Sequence, residues 1–318
     1  MSSGNSDMDL LRQTAREYLA KRGASGSLSG LAALDWIGLL VDEELSGAGW
    51  RPLESCVVAE ELGRACDGSP WLGTVLAAAA VSGAPAEIRE RWLPSLLSGE
   101  AVGGFVMAGR SVRIVAADEA DLLIVAAPTG LRLIEQLAGQ PRRPDPDSLD
   151  STRSIWRVDI SAATGTDIGD SARSTLMCAM GQLLVCADAI GAMAGALERL
   201  VTYLSSRIAF GAPIASFQAV RHRLVDLLVI VVKSRAVVAK AARALAEGAD
   251  ATALAATAHA FVVSKAVWLI DECMQLSGGI GFTWDYPLHH ELRRVSADAW
   301  LMGTARDSRA HLAEVSGW

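Results

Sequence analysis

The chain is poor in charge and in cysteine. Over 318 residues only 20% are Asp, Glu, Lys or Arg, with 29 basic against 36 acidic side chains and a formal charge of −7. No basic excess exists to offset a phosphate backbone, which argues against a nucleic-acid partner. The clusters Arg142-Arg143 and Arg221-His222-Arg223 are short and read as solvated or structural. Cysteines at 56, 66, 178, 186 and 273 have no CxxC spacing and no even framework. Buried reduced thiols in a cytoplasmic protein are expected. The start, Met1 to Asp9, has neither a basic stretch nor an apolar core, so no signal peptide is expected. Serine, histidine and aspartate form no nucleophilic constellation. The adjacent His289 and His290 point about 100° apart on a helix and cannot chelate one metal as an i, i+4 pair would, so no metal is expected. His259, in an apolar helical run, reads as a core or rim residue.

What the chain has is apolar surface. Hydrophobic residues make up 51% and the mean hydropathy is +0.28. A chain of this size can form a large core with two or three subdomains, and its apolarity points to burial that includes subunit interfaces. Nine tryptophans read as core and interface anchors. From Thr175 to Leu197 the only charge is Asp188. Length alone would admit a membrane span. Gln182, several Gly and Ala residues and the following Glu198-Arg199 favour a bundle helix buried on most sides.

The order of elements is α+β, mainly α. Residues 1–101 read as an N-terminal helical domain, with Asp7 or Asp9 capping a first helix to about Lys21. Helical spacing recurs over Leu53–Arg64 and Glu87–Leu97, and Leu45-Ser-Gly-Ala-Gly-Trp-Arg-Pro52 reads as a tight connection. Residues 102–169 read as a reduced β domain with short strands at Val112, Asp121, Gly130 and Ile155, forming an antiparallel sheet. Gln140 to Asp147, with three prolines, reads as an irregular loop. Residues 170–318 read as a four-helix bundle with helices near 171–205, 216–247, 250–277 and 288–313. Ser216 is expected to cap the second and Gly248 to end it.

Two phrases lie where one long helix gives way to the next: Arg207-Ile-Ala-Phe-Gly-Ala-Pro-Ile-Ala-Ser-Phe-Gln218 and Gln275-Leu-Ser-Gly-Gly-Ile-Gly-Phe282. A dinucleotide pyrophosphate needs a cation and backbone N–H groups that can approach closely, which glycines permit. Both phrases resemble the C-terminal half of the acyl-CoA dehydrogenase family. Asp42-Glu-Glu-Leu-Ser-Gly-Ala-Gly49, Ala59-Glu-Glu-Leu-Gly-Arg64 and Arg91-Trp-Leu-Pro-Ser-Leu-Leu-Ser-Gly-Glu100 resemble N-terminal phrases of the same family, in the same order. The resemblance implies the acyl-CoA dehydrogenase fold. It also implies that Arg207 meets an FAD pyrophosphate, that Phe210 and Gly211 shape the turn with Gln218 nearby, and that Gln275, Gly278 and Gly279 contact the FAD of a neighbouring subunit.

The chain departs from the family twice. Where most members carry the glutamate base, in an "EGT" phrase, this chain reads Trp300-Leu-Met-Gly-Thr304, with Met302 at the glutamate position. Members that carry the base on the first bundle helix place it near Gly181, beside Gln182; neither is a base. Asp188, two turns on, reads as a buried partnered group or interface contact, with a substitute base as the alternative. The family's flavin-ring loop has no counterpart between Gly103 and Val125. The resemblance therefore implies a subunit without a catalytic residue of its own. Such a subunit would share FAD with a homologous acyl-CoA dehydrogenase subunit in an α2β2 heterotetramer. The complex would oxidise an acyl-CoA, preferably a steroid side-chain thioester, with an electron-transferring flavoprotein as acceptor. The alternatives are a flavin-dependent monooxygenase of the same superfamily and a structural subunit.

Overall fold

The computed structural model describes residues 3–23, 27–108, 112–116, 118–135, 137, 142–160 and 163–318. α1 (Ser3–Arg22) starts before Asp7 and Asp9, so neither caps it. Asp9 instead pairs with Arg12 one turn on, at 3.4 Å, a contact that belongs to a helix interior. After the short α2 (Leu28–Ala32), strands β1 (Leu40–Val41) and β2 (Gly49–Trp50) form a hairpin around the glycine loop. Pro52 opens α3 (Pro52–Arg64) where a helix needs no N–H. α4 (Trp71–Ser82) and α5 (Ala86–Ser98) complete the block, and Gly99 at φ +73° ends α5.

The β region departs from the expected single antiparallel sheet. β3 (Gly103–Met107), β5 (Leu122–Ala127), β6 (Gly130–Ile134) and β9 (Thr166–Gly169) form one sheet in the order β3-β5-β6-β9. Within it β3 runs parallel to β5, because the intervening β4 (Val112–Val115) leaves for a second sheet and the chain returns to the same end. That sheet, β4-β8-β7, holds β7 (Arg142–Pro144) and β8 (Ile155–Val158). Arg142–Pro144 is thus a strand and not irregular loop, while Gln140 and Pro141 lie outside the described residues. β7 is an edge strand, the one place where the missing N–H of Pro144 is tolerated.

The C-terminal half is helical. α6 (Ser171–Ser206) leads through the hairpin β10 (Ile208–Ala209) and β11 (Ala212–Pro213) to α7 (Gln218–Ala246). Ser216 does not cap α7. It lies in a 3-10 turn and its Oγ donates to the Pro213 carbonyl at 2.6 Å, while Phe217 takes the cap position. Gly248, at φ +72°, does end α7. α8 (Thr252–Ser277) follows as expected. The expected last helix divides into α9 (Leu288–Leu301) and α10 (Ala305–Val315). Gly303 at φ +82° stops the first, and a Thr304–Asp307 capping box starts the second.

α6 is the central post. Its apolar length and that of Thr252–Phe282 would each suffice to cross a membrane, but the most apolar stretch of α6 is 83% buried inside the protein. The phrase Ala59–Arg64 on α3 explains itself against this post. Glu60 accepts two hydrogen bonds from Arg235 of α7, and Glu61 accepts two from Arg16 of α1. Arg64 grips Glu198 of α6 with both Nη atoms, and Gly63 lets the backbones touch. The five cysteines are unpaired, with Cys56, Cys186 and Cys273 buried and the other two partly so.

Candidate functional site

The two glycine phrases meet at one end of the bundle. Arg207 caps the C-terminus of α6, Gln218 opens α7 and Gln275 lies in the last turn of α8. Three contacts hold these ends together. Arg223 of α7 donates to Glu272 of α8 at 2.7 Å and lies 5.2 Å from the Trp268 ring centre. The rings of Tyr203 and Tyr286 lie 5.6 Å apart, one helical turn from Arg207. Of the cluster Arg221-His222-Arg223, then, Arg223 is structural.

The surface so formed is exposed and its polar groups are unused. The side chains of Arg207, Gln218 and Gln275 make no hydrogen bond or ion pair among the described residues. Phe210 (φ +52°) and Gly211 (φ +79°) form the two-residue turn of the β10–β11 hairpin, a geometry that demands positive φ at both positions. Phe210 is 99% exposed. A Cβ on Gly278 or Gly279 would meet nothing within 4 Å, so the backbone there is open to a close-lying group. A cation, two amides and an accessible glycine backbone suit an anionic dinucleotide.

Gly181 and Met302, far apart in the chain, touch. A Cβ on Gly181 would sit 3.1 Å from Met302 Sδ and 3.3 Å from Leu76 Cδ1 of α4. Met302 is buried. The thioether, the leucine and the glycine leave nothing at this contact that accepts a proton at neutral pH. A cavity of about 340 Å³ is bordered by Arg113, Asp145, Leu149, Trp300 and Leu301. Burial favours the protonated form of Asp145, but the Arg113 hydrogen bond, the Asp147 N–H and the charges of Arg113 and Arg157 together hold the carboxyl below its ordinary range. Arg113 also lies over the Trp300 ring at 5.6 Å.

Asp188 is a buried, partnered group. Arg294 of α9 grips it through Nη2–Oδ1 at 2.7 Å and Nε–Oδ2 at 2.8 Å. Burial pushes the Asp188 carboxyl up, and Arg294 with Arg153 outweighs it, so the group stays ionised below its ordinary range. An acid held this way is a poor base. Sequence reasoning missed both arginines. An aspartate in an apolar run signals that it needs a partner, but nothing in the linear pattern says which.

A larger cavity, about 940 Å³, lies elsewhere, between Arg64, Cys66, Ser69, Arg199, His290 and Glu291. Its cations are already spent on Glu198 and Glu291. The rings of His289 and His290 are 4.0 Å apart and engage the Tyr286 carbonyl and Ser151 Oγ respectively. Among the described residues no group of three or more His, Cys, Asp or Glu is placed to hold a metal.

Comparison with known proteins accounts for this architecture. Residues 6–100 match the model of the acyl-CoA dehydrogenase N-terminal domain and residues 172–316 that of the acyl-CoA dehydrogenase C-terminal domain. The chain is 32% identical to acyl-CoA dehydrogenase IpdE2 of Mycobacterium tuberculosis, over 95% of this chain and 94% of that one. It is 34% identical to IpdE2 of Mycolicibacterium smegmatis, over 87% and 83% of the two chains. A variant of the Tcur3481-Tcur3483 steroid ACAD shares the fold at a TM-score of 0.85, with 22% identity over 98% of each chain. Butyryl-CoA dehydrogenase of Megasphaera elsdenii does so at 0.83, with 19% identity and the same coverage. Helices, a small β region and a helical bundle in this order, with matching models at both ends, place the chain in the acyl-CoA dehydrogenase family.

Proposed function

We propose that this chain is the subunit without a catalytic base in a heteromeric FAD-dependent acyl-CoA dehydrogenase. The contact between Gly181 and Met302 carries the reading. The family resemblance puts the glutamate at the Met302 position or near Gly181; here Met302 and Gly181 meet, and neither offers a carboxylate. The homologous partner supplies the base, and the assembly is an α2β2 heterotetramer that shares each FAD between unlike subunits. FAD, when bound, accepts the hydride from the acyl-CoA.

This chain's own part is to hold the ADP half. Arg207 offsets the pyrophosphate charge, the open backbone at Gly278 and Gly279 allows close approach, and Gln218 and Gln275 orient. Exposed Val225, Leu228, Val229 and Val232, spaced along one face of α7, supply an apolar surface for a companion chain. The likeness to a structure described as a steroid ACAD supports a steroid side-chain CoA thioester as substrate. By family analogy, electrons pass to an electron-transferring flavoprotein.

Flavin absorbance tests the proposal, on this chain alone and then co-expressed with a homologous acyl-CoA dehydrogenase subunit. A colourless single chain and a yellow complex, with one FAD per unlike pair, are expected. A full complement of FAD on this chain alone would overturn it.

A further inference from the structure

Five ionisable side chains form a buried cluster that the flavin reading leaves unused. Asp150 and Arg153 come from the segment between β7 and β8, Asp188 from α6, and Arg294 and Asp298 from α9. Their exposures run from 0% at Asp298 to 8% at Asp150, so water balances none of their charges. Arg153 donates through Nε to Asp150 Oδ2 at 2.7 Å and through Nη2 to Asp298 Oδ1 at 2.8 Å, and its Nη1 lies 3.8 Å from Asp188 Oδ2. Arg294 occupies both oxygens of Asp188. Three carboxyls thus face two guanidiniums, one negative charge too many. Asp298 Oδ2, fully buried, has no hydrogen-bond donor among the described residues.

Among the described residues the surroundings supply no compensating cation. Asp67, beside the cluster, has its own partner in Arg22 at 3.7 Å, and its carbonyl accepts from Arg294. Glu291 pairs with Arg199. Burial pushes the Cys66 thiol up to about 12 and that of Cys186 well above its ordinary range, so both stay neutral. Burial, then the neighbouring His289, holds His290 below its ordinary range, so it too is neutral near pH 7.

We infer that Asp298 carries a proton on Oδ2 and donates it to the Asp188 carboxylate, closing a neutral clamp that ties the 150–153 segment to α6 and α9 and loosens as pH rises. The two carboxyls face the same guanidinium, Asp298 Oδ1 at 2.8 Å from Arg153 Nη2 and Asp188 Oδ2 at 3.8 Å from Nη1. Burial drives the Asp298 carboxyl well above its ordinary range; Arg153 opposes this and Asp188 reinforces it. The folded chain therefore keeps a proton that the unfolded chain loses. The stability this contributes is complete below the unfolded carboxyl pKa and declines as pH rises toward the folded one. Asp150 and Asp188, both shifted down, act at acid pH and leave the neutral window to Asp298.

The test is urea unfolding of the full chain from about pH 6 to pH 8, wild type against Asp298→Asn. The wild-type unfolding constant should rise relative to that of the variant, by up to about tenfold per pH unit. Identical slopes would overturn the inference. Difference infrared spectroscopy reads the proton itself: a protonated-carboxyl C=O band in the wild type at neutral pH, lost in Asp298→Asn. It should also be lost in Asp188→Asn, where the remaining charges balance without the proton. Should Asp298→Asn fail to fold, the wild-type and Asp188→Asn spectra decide, and absence of the wild-type band refutes the shared proton.

Discussion

Gly63 of α3 rests on the carbonyl of Asp188 in α6 so closely that a Cβ would fall on the carbonyl itself. Gly191, one turn along α6, meets the Glu60 carbonyl in the same way. This backbone-to-backbone seam joins the N-terminal helices to the bundle and sets the height at which Glu60, Glu61 and Arg64 find their partners. Gly63→Ala should destabilise the chain by about 1–3 kcal/mol, the usual range for overpacking. Chemical denaturation measures it; an unchanged midpoint would mean that the helices separate freely.

Arg207→Ala should leave the fold intact, because that guanidinium makes no hydrogen bond or ion pair among the described residues. In the proposed complex it should lower FAD affinity by about 1.5–3 kcal/mol, the range for a hydrogen bond to a charged group. Flavin retained through dialysis is the readout, with the melting temperature of this chain as control.

Arg294→Met should cost about 3–5 kcal/mol, since it strands Asp188 as a buried, uncompensated charge. Urea unfolding at neutral pH checks this. A loss below about 1 kcal/mol would show that Arg153 alone can hold the aspartate, as an exposed pair would allow.

His259 of α8 hydrogen-bonds Ser308 of α10 at 2.9 Å and is fully buried. Burial lowers its pKa to about 4, with Asp307 opposing. The unfolded chain then binds more protons between that value and the ordinary 6.5, so stability falls as pH falls through this window. The shift corresponds to at most about 3 kcal/mol. His259→Gln should flatten the decline between about pH 6.5 and pH 4 seen in thermal melts, while the wild type keeps it.

Long helices were the legible part of this fold. The limits of α6, α7 and α8 follow from apolar spacing and from punctuation such as Gly248 at its positive φ. The break at Met302-Gly303 was less visible, because Thr304 and Asp307 look like ordinary helix residues until the capping box forms. Arg142–Pro144 misled for a related reason: the three prolines between Gln140 and Asp147 read as loop, and only the edge position beside β8 makes a strand possible. The glycine phrases were visible as phrases, but that their helix ends share one end of the bundle depends on Arg223, Glu272 and the two tyrosines. Asp188 announced that it needed a partner. Arg294, Arg153 and Asp298 could be matched to it only in three dimensions.

Phe210 has a consequence outside the active complex. An aromatic ring held almost wholly in water, on a backbone conformation that aromatic residues avoid, gives an isolated chain nothing in return. Phe282 and Trp284 stand exposed as well. Copies made in excess of whatever covers these rings present sticky surface to one another, to chaperones and to proteases. The cost of leaving these rings uncovered therefore falls on the chain itself, as a tendency to associate through the hairpin tip.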